Sequence, residues 1–190
     1  MPQYLDESIG VGEIGLILRR PISPEALIDE AAFAHDEFLP YWAELWPAAT
    51  ALAEALPDVA GLRVVELGCG LGVPSLVAAA RGAEVTATDW SADAIDLLRG
   101  NAARNGVELR AEVRDWREPW PERFDLALAA DVLYEERNVA PVLARLRELA
   151  PVALVGLAGR PYEAAFLREA GRVEQVAERV VLLRHEYPAV

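Results

Sequence analysis

One stretch of the chain limits what it can fold into more than any other. Residues 64–74 read VVELGCGLGVP, so an apolar run ends in an acid, and three alternating glycines lead into a proline. This order predicts a buried strand, a tight turn and the start of a helix, because glycine permits sharp bends and proline suits a first helical turn. In α/β sheets such a turn receives the polar part of a nucleoside ligand.

The acid in this stretch indicates which nucleoside ligand the turn would bind. A dinucleotide-binding turn has the pattern G-x-G-x-x-G, whereas Gly68, Gly70 and Gly72 bring the third glycine one residue sooner. A carboxylate at Glu66 would repel a pyrophosphate by roughly 4 kcal/mol at 4 Å for an effective dielectric near 20. It would favour a cationic ligand without phosphate, and S-adenosylmethionine carries a sulfonium and an ammonium group. We therefore predict S-adenosylmethionine as the cofactor.

Length and charge narrow the class of protein. The chain has 190 residues, of which 53% are hydrophobic, enough for one domain with a sizeable core. Its formal net charge of −13 argues against nucleic-acid partners and either suits a basic partner or only reflects solubility. A single cysteine, the lack of an N-terminal signal pattern and the lack of an uncharged membrane-length stretch predict a soluble, cytoplasmic protein with no membrane partner. The two histidines lie far apart, so no metal site is predicted.

Strand and helix patterns alternate along most of the chain. The predicted strands are 62–67, 85–89, 109–113, 124–130 and 152–157, followed by two strands within 172–187 and preceded by a strand or hairpin within 10–20. The predicted helices are 24–34, 47–56, 73–81, 92–105, 138–149 and 162–170. Alternation favours a parallel sheet, and the two closely spaced terminal strands must be antiparallel.

The predicted fold class is α/β: a doubly wound, mostly parallel seven-stranded sheet with an antiparallel strand near the C-terminus. We expect a single domain, 1–190. Within it, a strand and helix extension, 1–60, packs over the cofactor site, and residues 61–190 form a Rossmann-like core.

Acids follow four consecutive predicted strands, where ligands of such sheets bind. The residues are Glu66 at the first strand end, Asp89 and Trp90 at the second, Asp115 and Trp116 at the third, and Ala130, Asp131 and Tyr134 at the fourth. Asp89 lies 21 positions after Gly68 (89 − 68), where an acid can accept hydrogen bonds from ribose hydroxyls. Asp115 could accept a hydrogen bond from an adenine amino group, and Trp116 could cover the adenine ring. A single such Asp is more often a turn residue or helix cap. Four acids at the ends of four consecutive strands favour a binding site.

These residues also carry a resemblance. The run from Leu39 to about Leu149 resembles the seven-β-strand, S-adenosylmethionine-dependent methyltransferases, and within them family 16, which contains protein-lysine methyltransferases. The matching motifs are Pro40-Tyr41-Trp42-Ala43, Leu45-Trp46-Pro47, Glu66-Leu67-Gly68-Cys69-Gly70, Asp89, Asp115-Trp116 and Asp131-Val132-Leu133-Tyr134. The resemblance implies a Rossmann-like methyltransferase fold. It also implies cofactor contacts by Trp46, Gly68 to Gly70, Asp89, Trp116 and Ala130, with Asp131 and Tyr134 facing the acceptor.

The candidate site follows from these two lines of reasoning. The predicted catalytic residues are Asp131, which would orient an acceptor amine, and Tyr134, which would desolvate it. The predicted cofactor-binding residues are Trp46, Glu66, Gly68, Cys69, Gly70, Gly72, Asp89, Trp90, Asp115, Trp116 and Ala130. Tyr41 and Trp42 either line the acceptor channel or pack the N-terminal segment onto the sheet.

Three functions remain open at this point. The favoured function is methyl transfer to a nitrogen acceptor, with a protein lysine preferred because of the D-x-x-Y pattern at residues 131–134. A small-molecule amine is the alternative acceptor. A noncatalytic cofactor-binding module with the same fold is the third, and the intact glycine turn with its acids argues against it.

Overall fold

The computed structural model describes residues 3–27 and 40–185, and within these ranges it contains nine strands and five α-helices. The strands are β1 (Tyr4–Val11), β2 (Ile14–Pro21), β3 (Arg63–Leu67), β4 (Glu84–Asp89), β5 (Arg110–Val113), β6 (Leu126–Ala130), β7 (Val152–Gly156), β8 (Val173–Ala177) and β9 (Val180–Arg184). The helices are α1 (Pro47–Glu54), α2 (Val73–Ala80), α3 (Ala92–Arg104), α4 (Val139–Leu149) and α5 (Glu163–Ala170). Strands thus alternate with helices from β3 to β8, except that β6 follows β5 without a helix between them.

Seven of the described strands form one sheet, in the order β5-β4-β3-β6-β7-β9-β8. β3 pairs in parallel with β4 on one side and β6 on the other, and β5 and β7 extend the two halves in parallel. β9 is antiparallel to both β7 and β8. Its pairing with β8 must be antiparallel, because residues 178–179 leave room only for a tight return. This topology confirms the predicted doubly wound, mostly parallel seven-stranded sheet.

Two apolar layers cover the faces of the sheet, and successive residues of β3 point into different layers. Val64 packs in the cluster that contains Leu76 of α2 and Leu98 of α3. Val65 packs in the opposite cluster, which contains Leu146 of α4 and Phe166 of α5. Both faces of β3 are buried, so Val64, Val65 and Leu67 are all apolar, and Glu66 is the one ionisable side chain buried in this strand.

The N-terminal hairpin of β1 and β2 docks on α3 through two asparagines. The Asn105 amide accepts the Ile17 N–H at 2.8 Å and donates to the Ile17 carbonyl at 2.9 Å. The Asn101 amide does the same for Arg19, at 2.8 and 3.0 Å. Asn101 lies on α3 and Asn105 caps its C-terminus four residues later, so the two side chains serve alternate residues of β2 and satisfy part of its free edge.

Most element ends lie within two residues of their predicted positions. The predicted helix 24–34 is an exception, because Pro24–Leu27 form a single 3₁₀ turn and residues 28–34 lie outside the described ranges. The division into a 1–60 extension and a 61–190 core stays a prediction. Among the described residues, no helix combines the length and apolar character needed to cross a membrane.

Candidate functional site

A cleft opens at the carboxyl ends of β3, β4 and β6. Ligands of doubly wound sheets bind at this edge, where successive connections leave in opposite directions. The predicted site residues on its walls are Trp46, Glu66, Gly68, Cys69, Gly70, Gly72, Asp89, Trp90, Trp116, Ala130, Asp131 and Tyr134. Tyr41 and Trp42, whose role the sequence left open, also line this cleft.

The glycine turn after β3 is required by packing as much as by any ligand. Gly68 has φ +63°, and a Cβ there would lie 2.8 Å from Trp116 and 3.0 Å from Val132. Gly72 has φ +76°, and a Cβ there would lie 2.3 Å from the Cδ1 atom of Leu98. Both positions therefore need glycine for backbone conformation and for close approach of neighbouring elements.

Glu66 is held beneath the turn by the first turn of α2. Its Oε2 atom accepts the Ser75 backbone N–H at 3.0 Å and a short hydrogen bond from the Ser75 hydroxyl. The side chain is buried, and this burial raises the pKa of Glu66 to about 8. The carboxyl group is therefore largely protonated at neutral pH. The repulsion of pyrophosphate that sequence reasoning assigned to Glu66 requires a charge that this environment disfavours.

Asp89 joins the end of β4 to the glycine turn. Its Oδ2 atom accepts the Gly70 N–H and its Oδ1 atom accepts the Ser91 N–H, each at 2.9 Å. Burial raises the pKa of Asp89 to about 6, so the group is mostly ionised at pH 7. The backbone of Trp90 also donates a hydrogen bond to this carboxylate. Because a carboxylate offers about four acceptor positions, one remains for a hydroxyl donor.

Of the two predicted site residues that follow β5, one lines the cleft and the other does not. Trp116 lines the cleft and is held by Arg145, whose Nε atom donates to the Trp116 carbonyl at 3.0 Å. Asp115 is not among the described residues that line the cleft. Its carboxylate instead accepts from Arg117, which lowers the pKa of Asp115. An adenine contact by Asp115 stays a prediction.

Aromatic side chains build the outer wall of the cleft. The Trp46 Nε1–H donates to the Tyr41 carbonyl at 2.8 Å, and the two rings lie 6.4 Å apart. The Tyr41 ring lies 5.0 Å from the Tyr134 ring at an interplanar angle of 39°. Burial raises the pKa of the Tyr134 phenol, so Tyr134 carries no phenolate charge at neutral pH. The wall presents flat, weakly polar surfaces to anything bound in the cleft.

Asp131 lies at the end of β6 and is paired across the cleft with Arg160. The Arg160 Nε and Nη2 atoms donate to the two carboxylate oxygens, each at 2.7 Å. Asp131 has φ +52°, the only positive φ of a non-glycine residue in the described ranges, and it lines the cleft. The guanidinium also lies over the Trp46 ring, 5.1 Å from its centroid.

Sequence analysis missed Arg160. It follows β7 in the segment Leu157-Ala158-Gly159-Arg160-Pro161, so it lies at the carboxyl end of the fifth strand of the core. The strand-end rule that selected Asp89 and Asp131 would have reached Arg160 had it been applied to that strand.

The side chains on the described walls of the cleft fit S-adenosylmethionine. Asp89 can accept from ribose hydroxyls, and Trp90 and Trp116 offer ring faces for a base. Carboxyl groups outnumber basic groups on the described walls, which suits a sulfonium and an ammonium group better than a phosphate.

Sequence comparisons place the chain among methyltransferases. The profile of the methyltransferase small domain family matches residues 39–179, well over half of the chain. Two mouse proteins, EEF1A lysine methyltransferase 3 and protein N-lysine methyltransferase METTL21A, are 32% and 35% identical to it over 117 and 120 residues. These alignments cover 56% of this chain and 50% and 55% of the mouse proteins. The chain thus spans about half the length of the curated relatives it matches.

Structural comparison agrees on the fold. The T. thermophilus 16S rRNA N2 G1207 methyltransferase RsmC, solved with AdoMet and guanosine, matches with a TM-score of 0.70 at 20% identity. The match covers 96% of this chain and 51% of that chain. Methyltransferases of the matched sequence family use S-adenosylmethionine, which confirms the predicted cofactor at family level. With its sheet, its glycine turn and the family match in agreement, the chain belongs to the methyltransferase small domain family.

Proposed function

We propose that this protein is an S-adenosylmethionine-dependent N-methyltransferase of the family 16 branch, and that its acceptor is a lysine side chain of another protein. The observation that carries the proposal is that Asp131 and Tyr134 lie on the wall of the same cleft as the glycine turn. The similarity to two mouse lysine methyltransferases supports the choice of lysine.

The inner half of the cleft is assigned to the cofactor. S-adenosylmethionine supplies the methyl group from its sulfonium when bound. Asp89 accepts hydrogen bonds from the ribose. The glycine turn at Gly68 and Gly70 lets the cofactor approach the protein backbone closely. Trp116 covers the base, and Trp46 closes the side nearest the acceptor.

The outer half of the cleft is assigned to the acceptor. Tyr41, Trp46 and Tyr134 form a wall that excludes water and aligns a long, thin side chain. Asp131 accepts an N–H from the acceptor nitrogen and so orients the nitrogen lone pair toward the cofactor. Such alignment of the reacting atoms accounts for several kcal/mol of rate enhancement in comparable reactions, on the order of 7 kcal/mol at its best.

A lysine acceptor must lose its proton before it can react. A pH of 7 lies about 3.4 units below the pKa of an unperturbed lysine, so removing the proton costs about 4.6 kcal/mol. An unpaired Asp131 would make this harder, because a nearby anion raises the pKa of an amine. The aromatic wall acts in the opposite direction, since desolvation disfavours the ammonium form.

Two measurements test the proposal in sequence. Calorimetric titration with S-adenosylmethionine tests the cofactor site, and a parallel titration with a nicotinamide dinucleotide serves as the control. Incubation of the protein with methyl-labelled cofactor and a cell lysate then tests the acceptor. A labelled protein band that survives ribonuclease and contains methyllysine supports the proposal.

Other labelling patterns would identify other functions. Label confined to the low-mass fraction would support a small-molecule amine as acceptor. Label lost on ribonuclease treatment would support RNA, which the net charge of −13 disfavours. Cofactor binding without any labelled product would support a noncatalytic module, and no binding would reject the assignment altogether.

A further inference from the structure

Arg160 engages the carboxylate that sequence analysis assigned to the acceptor. It donates to both oxygens of Asp131 at 2.7 Å, the two-point geometry that makes guanidinium–carboxylate pairs strong and directional. The Asp131 side chain is only 2% exposed, so water and salt screen the pair little.

Two further contacts hold Arg160 in this position. Its guanidinium lies over the Trp46 ring, 5.1 Å from the centroid, at a distance where a cation is attracted to the ring face. The loop that carries it is fixed by Glu163, whose Oε1 atom accepts the backbone N–H groups of Ala158 and Gly159 at 2.7 and 2.9 Å. Arg160 is therefore positioned from three sides.

The described walls of the cleft carry no other basic side chain. Their ionisable groups are the carboxyls of Glu44, Glu66, Asp89, Asp131 and Glu135, the phenols of Tyr41 and Tyr134, the thiol of Cys69 and the guanidinium of Arg160. Glu163, the first residue of α5, also attracts the Arg160 guanidinium electrostatically. The Asp131 carboxylate and the Trp46 ring together form a site suited to a cation, called the seat below. The Arg160 guanidinium already occupies this site.

We propose that Arg160 is a specificity-determining residue: it stays paired with Asp131 during turnover, occupies the seat for a cation, and admits only an acceptor nitrogen that arrives uncharged. This inference rests on the proposed function and deepens it. A protonated lysine approaching Asp131 meets a guanidinium of the same charge. A neutral amine does not.

The retained pair still leaves Asp131 able to orient a neutral nitrogen. A carboxylate has about four acceptor positions and Arg160 uses two, so an amine N–H can occupy a third. The amine then keeps its lone pair free for reaction. Because the pair carries no net charge, Asp131 no longer favours the ammonium form as an isolated carboxylate would.

The first test follows the ion pair directly in the whole 190-residue chain. In ¹⁵N-labelled protein loaded with S-adenosylhomocysteine, the Arg160 Nε–H signal is assigned by its loss in Arg160→Lys and followed during titration with n-butylammonium chloride. We expect a signal protected from solvent exchange that n-butylammonium leaves unchanged. Loss of protection or a large shift at saturating n-butylammonium would overturn the proposal, because it would show that a cation displaces Arg160.

The second test opens the seat. Arg160→Ala removes the guanidinium, and we expect it to bind n-butylammonium at least about tenfold more tightly than the wild type, by calorimetry. Adding Asp131→Asn to this variant should abolish the gain, and Arg160→Lys should show none. Equal affinity of wild type and Arg160→Ala for n-butylammonium would contradict the proposal.

These tests are independent of the acceptor. They measure the occupant of the Asp131 seat by resonance and by calorimetry, and neither requires turnover. A failed labelling experiment would therefore reject the proposed function and leave the ion-pair result standing. A displaced Arg160 together with methyllysine in the labelled band would reject only the present inference.

Discussion

The two halves of the cleft hold their carboxylates in different ways. In the cofactor half, Glu66 and Asp89 accept hydrogen bonds mainly from backbone N–H groups of the glycine turn and the following helix. In the acceptor half, Asp131 is held by the side chain of Arg160, which comes from a loop 29 positions later. The first arrangement is set by local chain geometry, whereas the second depends on the whole fold.

This difference indicates which half of the cleft a single side-chain substitution can alter. Backbone groups are present whatever the side chain, so the cofactor half constrains glycine and helix positions. A side-chain pair disappears with a single substitution, so the acceptor half can change its charge without disturbing the sheet. Under the proposed function, acceptor chemistry is therefore determined by residues such as Arg160, on loops that a rigid scaffold positions.

The largest expected effect tests whether the cofactor half is built by its backbone. Gly72→Ala places a methyl group 2.3 Å from the buried Leu98 and in a left-handed conformation. Overpacking and backbone strain together should lower the free energy of unfolding by about 3 kcal/mol, measured by urea denaturation.

A second glycine serves as the control for this substitution. Gly106 also has positive φ, at +63°, but a Cβ there would meet nothing within 4 Å. Gly106→Ala should therefore cost only the backbone term, about 1–2 kcal/mol. Equal losses at both positions would show that close packing against Leu98 contributes nothing.

The next effect tests whether the acceptor half can be altered alone. Asp131→Asn should lower kcat about 100-fold, or about 2.7 kcal/mol, because the acceptor nitrogen loses its orienting carboxylate. Affinity for S-adenosylmethionine should change by less than about threefold. Asp96→Asn, which alters an exposed carboxylate on α3, is the matched control and should leave turnover unchanged. Unchanged turnover in Asp131→Asn would reject the role of Asp131.

The same contrast explains how much of the molecule could be predicted from its sequence. The sheet, the helices and the glycine turn could be predicted because strand alternation, Pro74 and the glycines act over a few residues. The pairing of Asp131 with Arg160 could not, since the strand-end rule brings both positions to one edge of the sheet but no local pattern specifies which distant side chains pair. The docking of Asn101 and Asn105 on β2 was missed for the same reason. The protonation of Glu66 depends on burial, which a sequence pattern does not reveal.

A third effect tests the buried carboxyl of Glu66 through pH. Its folded pKa, about 8, lies above the unfolded value of about 4.3, so the folded protein binds the extra proton between these values. The stability that wild type has relative to Glu66→Gln should therefore be greatest below about pH 4 and decline as pH rises toward about 8. Urea denaturation of both proteins across this range measures the difference. A difference that grows with pH would show that the folded state favours the ionised form.

The smallest effect distinguishes two acids that sequence analysis treated alike. Asp89 lines the cleft, so Asp89→Asn should weaken S-adenosylmethionine binding by about tenfold or more, through the lost ribose contact and the altered turn. Asp115 is instead paired with Arg117 at the surface, and Asp115→Asn should weaken binding by less than about threefold. Calorimetric titration of both variants gives the two ratios on one scale. A tenfold loss in Asp115→Asn would instead favour the adenine contact predicted from the sequence, and would mean that Asp115 leaves Arg117 when the cofactor binds.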